Sequence, residues 1–181
     1  YVLLEMNIAE TLELATRRDW RSWLEQHHDS KKEIWLVRST KDFSYLDSVE
    51  EALCFGWIDG IAKKTDTALA QRFTPRKKKS HWTELNKERA RKLIAREQMT
   101  EAGYAVLPDL RPESFKIPED IFAALQSDPE TWKNFQAFPD LYKRICVGYI
   151  EEMRKDRSVF ETRLENFLKK TKQNKIFGTL E

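Results

Sequence analysis

The stretch that most restricts the fold of this chain runs from Ser48 to Pro75. Ser48-Val-Glu-Glu51 has the form of a capping box, in which serine and glutamate satisfy each other's free backbone donors, and it predicts a helix reaching about Ile58. Val49, Ala52, Leu53 and Gly56 form one stripe of that helix, while Cys54, Phe55 and Ile58 occupy other sides. Its second half is therefore expected to be buried all round. Gly60 is placed to stop it, because glycine tolerates a left-handed cap. Ile61 to Lys64 and Leu69 to Thr74 then read as two strands around a turn at Thr65-Asp66-Thr67, and Pro75 ends the second. A helix buried on every side and followed at once by a hairpin requires a fold in which helix and sheet share a core.

The flanking segments agree with that class. Trp20, Trp23, Leu24 and His27 follow i, i+3, i+4, i+7 spacing and predict an amphipathic helix over Arg17 to His28. Glu33 to Arg38 is a short apolar run, expected to be a strand buried on both faces. Ser80 is a candidate N-cap for a helix reaching about Glu97, and a shorter helix is expected from Thr100. The stretch 108–116 holds two prolines and reads as a linker. Beyond it the chain is helical: Ile117-Pro118-Glu-Asp120 opens one helix, Ser127-Asp-Pro129-Glu130 a second and Ser158-Val-Phe-Glu161 another. Leu141, Ile145, Cys146, Tyr149 and Ile150 mark an apolar helix between the last two. The expectation is an α+β protein, with a small antiparallel sheet and packed helices over 1–107 and a helical subdomain over 108–181.

Composition excludes several classes. A chain of 181 residues with 40% hydrophobic residues and six tryptophans is able to build a core without disulfides. Cys54 and Cys146 both lie in apolar runs and read as buried free thiols, which suits a reducing cytoplasm. No run approaches the roughly 18 apolar residues of a membrane helix. Tyr1-Val-Leu-Leu4 is too short for the apolar region of a signal peptide. The expected location is cytoplasmic, and periplasmic if a signal preceded Tyr1. Charge is uneven. Arg72 to Lys92 holds nine basic residues against Glu84 and Glu88, a local +7, so with a net charge of +2 the remainder carries −5. That pattern points to a local anion site more than to a wholly cationic binder.

Chemistry-bearing residues gather in the same region. Asp59, read as ending a buried helix, sits where the helix dipole disfavours a carboxylate, so Arg72 or Arg76 is expected to compensate it. Asn86 falls between Trp82, Ala90 and Leu93 on a helical wheel, where a buried amide needs a partner. The loop Arg76-Lys-Lys-Lys-Ser80 leads to a helix start, a place suited to anions, and Trp57 and Trp82 offer apolar or stacking walls. Each residue also has a plain structural reading: an Asp–Arg ion pair, an amide bound to backbone, core tryptophans, a solvated lysine loop. No cofactor or metal is expected. The chain has no Gly-rich phosphate loop, no Gly-x-Ser-x-Gly elbow and no zinc-type Cys/His spacing, and the adjacent His27 and His28 cannot face one ion together. Cys54 with His81 and Asp59 is a disfavoured thiol triad, since the cysteine lies in an apolar helix.

Ala52-Leu-Cys-Phe-Gly-Trp-Ile-Asp59, Arg72-Phe-Thr-Pro-Arg76, Ser80-His-Trp-Thr-Glu-Leu-Asn86, Met99-Thr-Glu-Ala-Gly103, Ile117-Pro-Glu-Asp120 and Glu161-Thr-Arg163 resemble the YdeI/OmpD-associated family, also labelled bacteriocin-protection proteins. Asn166 stands where that family commonly has a second arginine, and lysines occupy a loop where small residues are common. The resemblance implies association with a porin and protection against bacteriocins or cationic peptides. The leading expectation is a non-catalytic binding or interaction protein whose site is lined by Trp57, Asp59, Arg72, Arg76, Ser80, Trp82 and Asn86. Its partner would be a small anionic ligand or a protein. The alternatives are a nucleic-acid binder using the loop 76–79, and an enzyme with Asp59 as acid or base. Titration of single-stranded nucleic acid at several salt concentrations separates the first two. A nucleic-acid binder gives a log–log slope near −0.7 per phosphate neutralised, flattened by Lys77, Lys78 and Lys79→Ala. The expected result is weak, nonspecific binding, because the −5 remainder repels a long polyanion.

Overall fold

The computed structural model describes residues 10–178. The reading of Tyr1–Leu4 lies outside them. The chain divides into two compact units, one of residues 1–80 and 89–108 and one of residues 81–88 and 109–181. The fold class is α+β with a helical C-terminal part.

The first unit opens with β1 (Thr11–Leu14), α1 (Arg17–His27) and β2 (Ile34–Arg38). A helical crossover returns the chain in its original direction, so β1 and β2 pair in parallel. Next come α2 (Tyr45–Cys54), β3 (Trp57–Lys64) and β4 (Leu69–Pro75). β4 runs antiparallel to both β2 and β3, giving the order β1-β2-β4-β3. The sheet is therefore mixed, not antiparallel as expected, and β1 is the strand that sequence periodicity did not show.

The register sorts side chains onto two faces. Ile34 pairs with Phe73, and Phe73 pairs on its other side with Asp59. This face meets the helices: the Trp20 and Phe73 rings lie 5.2 Å apart, and Trp20, Leu24, Leu36, Leu53 and Trp57 are fully buried. Trp35 pairs with Arg72 and Val37 with Ala70, forming a separate small cluster on the opposite face.

Two expected boundaries move. α2 begins at Tyr45, four residues after Lys41, because Ser44 is its N-cap: Ser44 and Asp47 form the capping box. Ser48 is buried instead and donates its hydroxyl to the Tyr45 carbonyl. The helix stops at Cys54, not Ile58, because Gly56 and not Gly60 takes the left-handed conformation, with φ of 73°. Trp57 and Ile58 then pair with Pro75 and Thr74 as strand. Asp59 is thus a strand residue, and the helix-dipole argument for it does not apply.

The stop at Gly56 is locked by a close approach. A β-carbon on Gly56 would lie 2.7 Å from the Ala102 carbonyl oxygen of α4 (Glu101–Tyr104). A β-carbon on Gly103 would overlap the Cys54 carbonyl and the Met99 sulfur. The same Cys54 carbonyl accepts from the Thr100 amide at 3.1 Å and hydroxyl at 2.6 Å.

Charge ties α1 to α2. Arg17 donates to Asp47 at 2.9 Å, to Glu50 at 2.9 Å and to Glu51 at 2.6 Å, and Arg21 reaches Glu51 at 2.8 Å. Burial opposes the charge of both arginines, but the carboxylates outweigh it and raise their pKa values. Burial likewise opposes the Asp47 carboxylate, but donors from the Ser44 side chain and backbone and from Arg17 hold it below its usual range.

The second unit holds α5 (Glu119–Gln126), α6 (Pro129–Ala137), α7 (Asp140–Glu151) and α8 (Arg157–Lys172). The division between units falls inside α3 (Glu84–Ala95). α3 starts at Glu84 and not at Ser80, with Thr83 accepting from the Asn86 amide. Asp128 and Asp156, not Ser127 and Ser158, cap α6 and α8. A core of Ile121, Leu125, Phe135, Tyr142, Val147, Ile150 and Phe167 joins these helices. No helix among the described residues is long and apolar enough to cross a membrane.

Two outcomes follow for stability. Gly103→Ala forces the Cys54 carbonyl aside, and thermal unfolding should show a loss of about 1–3 kcal/mol, the usual cost of overpacking. Arg17→Met leaves Asp47, Glu50 and Glu51 crowded together and should cost about 3 kcal/mol at pH 7, the lower end for a buried pair because Arg17 keeps 30% exposure. The depressed Asp47 sets the pH dependence: it contributes fully above its unfolded value of about 4 and its share is lost as pH falls through the lower folded value. Acidification from about pH 7 to about pH 5 therefore leaves the parent's melting temperature nearly unchanged, and the Asp47 share is lost only below about pH 4.

Candidate functional site

Asp59 lies on β3 facing α2, and the Tyr45 hydroxyl at the start of that helix donates to its carboxylate at 2.5 Å. Burial raises the Tyr45 pKa first, the Asp59 hydrogen bond and charge raise it further, and Arg89 and Arg38 pull it down, leaving it at about 12. The phenol keeps its proton near neutral pH and acts as a fixed donor. The pair is thus a hydrogen-bonded anchor within a cationic setting. The Tyr45 phenol is therefore poorly suited to give up its proton near neutrality.

Arg76 follows directly at the end of β4, only 6% exposed, with its amide bonded to the Gly56 carbonyl at 2.8 Å. Burial lowers its pKa to about 10 while the Asp59 charge opposes the fall. Of the two arginines expected to compensate Asp59, Arg76 is therefore the one whose charge Asp59 supports. Arg72 is not. It pairs with Trp35 across the sheet, one residue out of step with Phe73, so its side chain lies on the other face. There its guanidinium bonds the Glu33 carboxylate, with Nε at 2.7 Å, and holds Glu33 below the usual carboxylate range.

Ser80 closes the loop that begins at Arg76. Its amide donates to the Lys77 carbonyl at 3.0 Å, and Lys79 adopts a left-handed φ of 63° to make that turn. The Ser80 hydroxyl is buried and has no hydrogen-bond partner among the described residues. Trp57 is a core residue: it is 1% exposed, its indole N–H donates to the His28 carbonyl at 3.1 Å, and its ring meets Trp23 edge-on. Trp57, Asp59, Arg72, Arg76 and Ser80 belong to the first unit, Trp82 and Asn86 to the second. Trp82 is buried, and Asn86 is half-buried in the first turn of α3.

Tyr45, Arg38 and Arg89 escaped the sequence reading. Tyr45 was legible only through the Ser44–Asp47 box, which makes it the first residue of α2. Cys54 offers no nucleophile: burial, then the Glu51 charge, push its thiol up to about 11 despite Arg21. No group of His, Cys, Asp and Glu suited to hold a metal occurs among the described residues.

Residues 12–106 match the model of a domain of unknown function, DUF8412, and residues 114–174 match the family described as bacteriocin-protection, YdeI or OmpD-associated. No curated protein and no solved structure matches the chain. The first match covers half of the chain, so the protein belongs to the DUF8412 family, and its helical C-terminal part matches the YdeI/OmpD-associated family model, which supports the resemblance read from the sequence.

Proposed function

We propose that this is a non-catalytic binding protein of the YdeI/OmpD-associated type, and that its first unit holds a small anion at Ser80 and Arg76. The observation that carries the reading is the buried Ser80 hydroxyl, which has no hydrogen-bond partner among the described residues and ends the loop Arg76-Lys77-Lys78-Lys79. Leaving such a group without an acceptor costs about 1–3 kcal/mol, and an oxyanion supplies the acceptor. Arg76 supports the same reading: burial disfavours its charge, and a second anion beside Asp59 relieves that cost. Asp59 and Tyr45 orient the site, and Arg72 serves the opposite face of the sheet. Protection against bacteriocins or cationic peptides, taken from the family description, is the biological setting we propose for this binding.

Calorimetric titration with inorganic phosphate tests the site. Saturable binding is expected in the parent and in Arg72→Gln. Ser80→Ala should weaken it about tenfold, the effect of one hydrogen bond to a charged group, and Arg76→Gln should abolish it. Phosphate that fails to saturate, or that binds Ser80→Ala and Arg76→Gln as it binds the parent, overturns the proposal. Tight binding of single-stranded RNA at physiological salt, lost in the triple lysine variant, would replace it with the nucleic-acid reading.

A further inference from the structure

The second unit carries a groove of about 340 Å³ between α7, α8 and the segment that follows α8. Tyr142, Ile145, Ile150, Phe167 and Phe177 line it. Tyr142, Ile150 and Phe167 are buried and form its floor, while Tyr149, 52% exposed, and Phe177, 42% exposed, leave apolar surface open at its rim. Isolated exposed apolar residues are ordinary, but a contiguous set around a concave wall marks a binding surface.

One cation stands at this groove. Arg163 and Asn166, three residues apart on α8, share a helix face and both line it. The Arg163 guanidinium carbon lies 3.5 Å from the Tyr149 ring centroid, and Nη1 donates to the Tyr149 carbonyl at 2.5 Å. Those contacts fix the plane of the guanidinium and use one of its five N–H donors. Arg163 makes no ion pair among the described residues, and it is half-buried. A fork held in place beside an apolar wall matches one carboxylate with a hydrophobic body attached.

The wall selects the body. Tyr142 and Phe177 meet at 89°, Phe167 and Phe177 at 64°, and Tyr142 and Phe167 at 52°. Phe177 meets both other rings edge to face and Tyr142 and Phe167 are tilted, so these three leave no parallel pair of faces to sandwich a flat ring. Together with Ile145 and Ile150 they suit a flexible aliphatic chain.

We propose that this groove binds a medium-chain fatty acid, with its tail against Ile145 and Phe177 and its carboxylate on the Arg163 fork, where the Asn166 amide adds a donor. The site lies wholly within the second unit and is independent of the anion site proposed above. The probe is octanoate, titrated calorimetrically into the full chain, with octanol and octyltrimethylammonium as uncharged and cationic comparators. Octanoate should saturate one site and bind at least about tenfold more tightly than either comparator, since a charged hydrogen bond is worth that much. Arg163→Gln should remove this preference while leaving octanol binding unchanged. Asn166→Trp, at an exposed position that fills the groove without entering the core, should block all three ligands and keep the parent's melting temperature. Equal affinity for octanoate and octanol in the parent overturns the proposal. So does octanoate binding that survives both variants, or no saturation below about 10 mM. A concentration-dependent dimer that Asn166→Trp dissociates would give the groove to a second copy of the chain, and likewise overturns it.

Discussion

The first unit depends on the ion network between α1 and α2. Asp47, Glu50 and Glu51 occupy one face of α2 at i, i+3, i+4 spacing, and Glu50 and Glu51 are buried. Three carboxylates cannot leave water together unless cations replace it. Arg17 and Arg21, one turn apart on α1, supply them. Hydrophobic contact by itself lets two helices slide, because it is not directional. The arginine forks and the Trp20 indole, which donates to the Ser48 carbonyl at 3.0 Å, set the register. With α2 fixed, Tyr45 reaches Asp59 at one end and Gly56 meets α4 at the other.

The sheet then separates two electrostatic jobs that lie close in sequence. Arg72 and Arg76 are four residues apart and look interchangeable in a linear reading. Strand alternation sends Arg72 to the Trp35 face, where Glu33 satisfies it. Arg76 leaves the strand at Pro75 and is buried, with its charge supported by Asp59. One arginine closes a surface ion pair that steadies the sheet. The other is a desolvated charge at the start of the basic loop 76–79.

The helical unit solves a different problem. Its core is aromatic and aliphatic, with Phe135, Phe138, Tyr142, Phe160 and Phe167 packed among Ile121, Leu125, Val147 and Ile150. Glu84, paired with Lys87 and Arg144, is a buried charge of this unit, whereas other ion pairs sit at the rim. Arg154 bridges Asp120 and Glu151, and Lys172 reaches Asp128. Exposed pairs of this kind contribute little to stability. The stacked Arg163 is the exception in kind, since it pairs with a ring and a carbonyl in place of a carboxylate.

The residues themselves determined the elements whose periodicity is strong. Trp20 to His27 was legible as a helix from its 3.6-residue apolar repeat, Ile34 to Arg38 as a strand from a short continuous apolar run, and the hairpin 61–74 from two strand-like segments around a turn. Of the motifs that resemble the YdeI/OmpD-associated family, Ile117-Pro-Glu-Asp120 and Glu161-Thr-Arg163 lie within the match to that family, while those from Ala52 to Gly103 lie within the DUF8412 match; the two buried cysteines were legible as well. Tertiary structure decided the rest. β1 alternates over only four residues, too short a run to announce itself, and pairs with β2 in the fold. α2 is bounded by Ser44 and Gly56 in place of Ser48 and Gly60: the Ser44–Asp47 box caps its start locally, and Gly56 lies against Ala102 at its end. Asp59 changed from a helix end to a strand position for that reason. Its partners Tyr45 and Arg76 lie 14 and 17 positions away, a separation that no local pattern records and that only strand register and helix docking bridge.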